Sequence, residues 1–217
     1  MYDRLKGFRD FYPEEMAARH EIIDTVEAAC RRYGFRETAS PHLERAEMWT
    51  DKSGEDIVEE LYAFEDKGDR HVTLTPELTP TVARMVAAKQ QELSKPIKWF
   101  STRPFWRYEQ VQQGRFREFY QTNIDIFGTD DPRADAEVIA LGAQLLVDLG
   151  LAADDFAFRV PHRDILGAAL RSFDADVDVP EAVRAVHKIH KLDDNASHAL
   201  LVNAGPHYAP AATFRPP

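Results

Sequence analysis

An α+β fold, with a mainly antiparallel sheet flanked by helices, is what this sequence predicts, on three observations. Leu61–Glu65 and His71–Thr75 read as two strands around the turn Asp66-Lys67-Gly68-Asp69. Residues 103–127 read as a second, longer hairpin closed by a loop holding Gly114. Helical patterns fall between these strand groups rather than alternating with single strands, which favours an antiparallel sheet. No glycine-rich loop follows a strand, so neither a dinucleotide fold nor a Walker-type phosphate cradle is supported.

The elements follow in order. Ile22, Ile23, Val26, Cys30 and Tyr33 recur near the helical period, predicting a helix over residues 14–33 with Gly34 as its stop. Phe35–Ala39 reads as a short strand that ends at Pro41, a residue without an N–H for a ladder. Thr79-Pro80 supplies an N-cap and an N1 proline for a helix reaching Leu93. A strand is expected over Ile97–Ser101, before the hairpin. Asp131-Pro132 opens a further helix with Ala136, Ile139, Leu145, Leu146 and Leu149 inward and Gly150 as its stop. Phe156–Val160 alternates like a strand, and His162–Phe173 looks helical. Asp174–Asp178 reads as a linker, Pro180–Leu192 as a short helix, and residues 203–217 as a disordered tail without period or apolar density.

The chain has 217 residues, room for one large domain or one and a half small ones. Its 44% hydrophobic and 11% aromatic content supports a sizeable core. The net charge of −10 argues against general nucleic-acid affinity, although Arg103, Arg107, Arg115 and Arg117 form one basic island. An acidic excess in which Arg outnumbers Lys points to a salty cytoplasm, where self-repulsion is screened. Cys30 is the sole cysteine, so no intramolecular disulfide is possible, and its place on an apolar stripe makes it core rather than nucleophile. No run reaches membrane-spanning length and the first residues lack the apolar core of a signal peptide, so a cytoplasmic protein is expected.

Within the hairpin, alternation places Phe105, Arg107 and Glu109 on one face of the first arm. On the second arm Arg117, Phe119, Gln121, Asn123 and Asp125 share a face, and Tyr120, Ile124 and Ile126 take the other. Guanidinium, carboxylate, amide and one lone phenyl ring suit a small ligand with phosphate, an amine and a flat ring. A solvated face with casual ion pairs fits the same periodicity equally well.

Phe105-Trp106-Arg107-Tyr108-Glu109, followed by Gly114-Arg115-Phe116-Arg117-Glu118-Phe119-Tyr120-Gln121, resembles motif 2 of class II aminoacyl-tRNA synthetases, and most of all histidyl-tRNA synthetases. Lys6–Pro13 resembles the opening of that family, and Leu74-Thr75-Pro76-Glu77-Leu78-Thr79 its histidine-binding strand. Residues 14–41 resemble class II motif 1. The likeness runs in consistent order over residues 1–170, and implies an incomplete class II catalytic domain over residues 1–173, with the start of an insertion region over 174–202.

The resemblance implies roles. Arg107 is the motif 2 arginine, bridging the histidine carboxylate and the α-phosphate of ATP; two anions that repel each other need such a bidentate cation. Its competing reading is a structural ion pair with Glu109. Glu109 would accept from the adenine region, Phe119 would stack on the base, and Arg115 would reach the outer phosphates or the acceptor end of the tRNA. Core packing is the alternative for Phe119. Glu77, Leu78, Thr79 and Gln121 fall in the histidine-binding positions, where a carboxylate and two neutral acceptors suit an ammonium with three donors. Thr79 reads equally as an N-cap. Asp125 matches the position that reads the imidazole, where many members carry Glu, so its bond is expected through water. The sequence departs from the family at Thr75 and Leu78, where many members have Arg and Gly.

The implied function is histidine–tRNA ligation: ATP, with Mg2+, activates L-histidine, which passes to tRNA(His), in a homodimer built through residues 14–41. The second histidine motif, motif 3 and the anticodon-binding domain have no counterpart in residues 199–217, which implies a truncated or partial chain. Two other readings stand beside this one: the histidine-sensing regulatory subunit of ATP phosphoribosyltransferase, and a non-catalytic fragment. His187 and His190 lie three apart on the last expected helix without a third ligand near them, which favours a surface or partner contact over a metal site.

Overall fold

The computed structural model describes residues 2–50, 58–160, 163–173 and 178–179. Chain contacts divide the protein into two units, Met1–Ala157 and Phe158–Pro217. The first contains both sheets. The second contributes one described helix, Arg163–Phe173. The expected linker, the helix over Pro180–Leu192, His187, His190 and the tail lie in or beyond residues outside the described set.

The first unit opens with α1, Pro13–Arg32, whose Tyr12 backbone N–H donates to Glu15 Oε2 at 2.9 Å while Pro13 occupies the first turn. Gly34, at φ 77°, ends it in the left-handed region that glycine adopts without a Cβ clash. β1 is short, Arg36–Glu37, and runs parallel to β5, Ile97–Trp106. β5 pairs antiparallel with β6, Glu118–Phe127, over their whole length. A second antiparallel sheet orders β2 (Leu43–Arg45), β4 (His71–Leu74) and β3 (Tyr62–Glu65), with a single helical turn, α2 (Glu47–Thr50), after β2. α3 (Thr79–Lys89) follows β4, and α4 (Pro132–Asp148) follows β6.

Several expectations need correcting. The strand over 97–101 and the first hairpin arm are one ten-residue strand running through Pro104. The Trp106 N–H points away from β6 to the Thr75 carbonyl, at 3.2 Å. Pro104, two residues earlier, has its missing N–H on that same side, beyond the end of β1, so no ladder bond is lost. Phe156–Val160 is not a strand; alternation alone forms none without a partner, and none pairs with it among the described residues. β2 and α2 were not anticipated, being too short to show a period. Thr79 is the first residue of α3 and not its cap; Leu78 holds the cap position, and the helix stops at Lys89 rather than Leu93. In α4 the inward residues are Val138, Leu141 and Leu145, while Ala136 and Leu149 are exposed.

Two cores sit on the two faces of the β5–β6 ribbon. On one face Phe100, Ile124 and Ile126 pack with Val26, Ala29 and Cys30 of α1, with Phe35, and with Val138, Leu141 and Leu145 of α4. Burial pushes the Cys30 thiol up to about 11, which makes it an inert core side chain. Lys98 ties the helices together, donating to the Tyr33 carbonyl at 2.5 Å and pairing with Glu137 at 2.6 Å. On the other face Leu78, Val82 and Val86 cover Phe105, Trp99, Phe119 and Phe127. The face expected to be polar is therefore apolar at its ends. Antiparallel register explains this: Trp99 stands opposite Asp125 and Phe105 opposite Phe119, so the first arm lays its own rings beside the polar residues of the second.

Candidate functional site

Beyond Trp106 and Glu118 the ribbon opens into a loop. Its mouth is held by the Arg107 N–H bonding to the Arg117 carbonyl at 3.0 Å, and its tip by a turn at Gly114, φ 76°. Arg107 and Glu109 thus lie past the end of β5, so strand alternation does not place them. The opening residues of the chain brace the loop from outside. The Gly7 carbonyl accepts from Arg117 N at 2.9 Å, and a Cβ at Gly7 would meet Arg117 Cγ at 2.7 Å, so only glycine permits this approach. Arg9 lies 3.9 Å above the Phe116 ring.

Between the loop and β6 is a cavity of about 400 Å³, lined by Arg107, Glu109, Arg115, Phe116, Phe119 and Tyr120 among others. Arg107 approaches it from three supports. Its Nε donates to the Pro76 carbonyl at 3.0 Å, its guanidinium carbon stands 5.4 Å from the Phe119 ring centre, and Nη1 lies 3.9 Å from Glu109 Oε1. The last is a charge contact too long for a hydrogen bond. The tight partner of Glu109 is Arg115, whose Nε bonds to Oε2. Arg115 and then Arg107 hold the Glu109 carboxyl below the usual carboxylate range.

Sequence reasoning missed Glu60. Its carbonyl accepts from Tyr108 N at 2.7 Å, and its carboxyl is raised, first by burial and then by the neighbouring Glu109. Glu60 precedes β3 and reaches the loop only through the fold, and no spacing in the sequence signals it. Phe119 serves both readings given above, since it borders the cavity and packs against the Leu78–Val82–Phe105 cluster, 6.2 Å from Phe105 between ring centres.

The second group of expected residues lies along the same face, deeper into the ribbon. Gln121 stands opposite Arg103 and Asp125 opposite Trp99, with Asn123 between them. At a rise of ~3.4 Å per residue, Asp125 is roughly 20 Å along the strand from Phe119. Burial alone holds the Asp125 carboxyl above the usual carboxylate range. Asn123 Oδ1 and, on α3, Thr81 Oγ1 are buried without a hydrogen-bond partner among the described residues. Such groups cost free energy unless a donor reaches them. Glu77 is half-buried in the connection between β4 and α3, and Thr79 is exposed. Leu78, only 2% exposed, spends its side chain on the core, so its backbone is what it can offer a ligand.

A family model described as histidyl-tRNA synthetase matches residues 7–212. The histidine–tRNA ligase of Natronomonas pharaonis is 68% identical over 214 residues, covering 99% of this chain and 50% of that protein. That of Haloarcula marismortui is 65% identical over 214 residues, covering 99% and 49%. The chain therefore spans about half the length of the curated relatives it matches. Among solved structures, one described as an ATP phosphoribosyltransferase regulatory subunit/histidyl-tRNA synthetase from Bacillus halodurans superposes with a TM-score of 0.76 at 22% identity, over 94% of this chain and 51% of that one. At that identity the likeness shows the fold alone, and it agrees with the class II assignment reached from the motifs. Matched by the family model over nearly all its residues, the chain belongs to the histidyl-tRNA synthetase family.

Proposed function

We propose that this chain forms the part of a histidine–tRNA ligase that binds ATP and L-histidine for activation, the aminoacyl group then passing to tRNA(His). The observation that carries the reading is the convergence of Arg107, Glu109, Arg115 and Phe119 on one cavity at the ribbon mouth. A carboxylate oxygen of histidine attacks the α-phosphorus of ATP, the bond to the bridging oxygen breaks, and pyrophosphate leaves. Negative charge gathers on the α-phosphate oxygens during this step. Arg107, its Nε committed to Pro76, presents its Nη groups to that charge and to the incoming carboxylate.

Phe119, which borders the cavity, stacks on the adenine. Glu109 accepts from the adenine amine once Arg115 releases it. The Arg115 side chain is 58% exposed, so on leaving Glu109 it has room to swing toward the outer phosphates. Mg2+ enters with the triphosphate. Glu77 and Thr79, on the segment leading into α3, and Gln121 of β6 meet the α-ammonium, with the Leu78 backbone beside them. Asp125 reads the imidazole N–H through a bridging water.

No helix among the described residues is long and apolar enough to cross a membrane; a cytoplasmic homodimer fits the proposed activity. Ile22 of α1 is 53% exposed, and α1 with the strand before Pro41 is the proposed two-fold contact. Sedimentation at several concentrations tests that contact, and a strict monomer at tens of micromolar removes it.

Thermal melting tests the function. A ligase segment gains stability with ATP and with histidine, and most with both. A histidine sensor responds to histidine alone, and a non-catalytic fragment to neither.

A further inference from the structure

Arg103 is a cation with no place in the chemistry described so far. It lies in the middle of β5, 5% exposed, and its guanidinium carbon sits 5.1 Å from the Phe105 ring centre. Glu44, the carboxylate whose charge it feels, pairs instead with Arg84 at 2.6 Å. A buried charge left without a counter-ion is costly, and neutral acceptors must offset that cost. Arg103 has four. Nη1 donates to the Ser40 carbonyl at 3.0 Å, to the Pro41 carbonyl at 3.1 Å and to Ser40 Oγ, while Nη2 donates to Thr75 Oγ1. One planar fork thereby joins β5, the corner after β1 and the segment leaving β4.

That segment is the one on which the proposed site leans. Thr75 gives its N–H to the His42 carbonyl at 3.0 Å, receives the Trp106 N–H on its own carbonyl at 3.2 Å, and receives Arg103 on its hydroxyl. Every polar group of Thr75 is thus tied down. The next carbonyl, that of Pro76, is the one to which Arg107 Nε donates, and the residue after it is Glu77. Two arginines four residues apart, one within β5 and one just past its end, therefore grip consecutive residues of a single run. Only the outer one reaches the cavity.

We propose that Arg103 is a positioning residue: it locks Thr75–Glu77 to the Ser40–Pro41 corner, and so fixes both the carbonyl that orients Arg107 and the backbone that presents Glu77. The ligand-binding half of this statement rests on the ligase reading above, whereas the locking half does not.

Two measurements on this chain separate them. The first is amide hydrogen exchange at Thr75 and Trp106, with Phe35, bonded to the Cys30 carbonyl, as a control in the distant core. Arg103→Met is expected to speed exchange at Thr75 and Trp106 by roughly tenfold or more while Phe35 changes by less than about twofold. Arg103→Lys recovers only part of this, because an ammonium cannot bridge both sides. The double variant Arg103→Ser with Thr75→Arg returns a guanidinium to the same place from the segment after β4 and restores protection. The second measurement is the dissociation constant for L-histidine, expected to rise about tenfold in Arg103→Met and to return toward wild type in the double variant. Equal acceleration at Phe35, or none at Thr75 and Trp106, overturns the proposal by reducing Arg103 to a general core residue or to a bystander. If the wild-type chain binds neither histidine nor ATP, the ligase reading of this chain fails, and the exchange pattern still decides whether Arg103 locks the segment.

Discussion

The two faces of the β5–β6 ribbon are made from the same twenty strand residues and are spent differently. The face toward α1 and α4 closes around Phe100, which is 1% exposed and packs in a cluster with Val26, Ala29, Cys30, Phe35 and Leu141. The face toward α3 closes only at its ends, around Phe105 and around Trp99 and Phe127. Between and beyond those rings it holds Asp125, raised by burial, and Asn123, whose buried oxygen has no donor among the described residues. A protein gains nothing in stability from such groups. Their presence on one face only, beside a cavity lined by arginines, supports the proposal that this second face is the one that binds ligands.

The largest expected effect tests the closed face. Phe100→Ala removes a fully buried ring and should cost ~3–5 kcal/mol of unfolding free energy, read by denaturant titration. A loss below ~1 kcal/mol would mean that this face is not the core described here. Next comes the mouth of the open face. In a complete enzyme carrying this segment, Arg107→Ala should lower kcat by ~10²–10³ while changing the histidine KM little, because its guanidinium faces charge that grows in the transition state. Pyrophosphate exchange with each substrate varied reports the split. Glu77→Gln should do the reverse, raising the histidine KM by about tenfold with kcat nearly kept, since a lost counter-charge weakens ground and transition states alike. If both variants lost both parameters equally, the separation of roles along the ribbon would be wrong.

Much of this was legible before the structure. α1, the hairpin at Asp66–Asp69 and the partition of Ile124 and Ile126 from Gln121 and Asp125 follow from local periodicity and turn chemistry. Asp66 Oδ1 accepts from Gly68 N at 2.8 Å and Asp69 sits at φ 54°, as a tight turn with those residues requires. Register was not legible. A period of two sorts residues within one arm and says nothing about which ring of the other arm stands opposite, so only the fold shows Trp99 beside Asp125. Long-range partners were hidden for the same reason. Arg103 joined a basic island in the sequence, yet its acceptors are at Ser40, Pro41 and Thr75, and the chain between carries no signal of them. Thr79 was misplaced by one position because Leu78, which local rules disfavour as a cap, is drawn into the core and sets the first turn.

The smallest expected effect is also the sharpest test of the contrast between faces. Asp125 has its folded pKa raised by burial, and an unfolded aspartate titrates near pH ~3.9. Between those two values the folded chain binds more protons than the unfolded one. The contribution of Asp125 to stability therefore falls as pH rises through this window and stays at its lower level above the folded pKa. Asp125→Asn removes the ionisation. The ligand-free variant should match wild type below about pH 4 and melt higher than it by roughly 2 °C at neutral pH. Histidine reverses the order: the wild-type carboxylate finally acquires a donor and gains its melting shift, whereas the Asn variant loses most of that shift and keeps the response to ATP. Should Asn lower the melting temperature of the ligand-free chain at neutral pH, Asp125 already has a partner inside the fold, and the open face is structural after all.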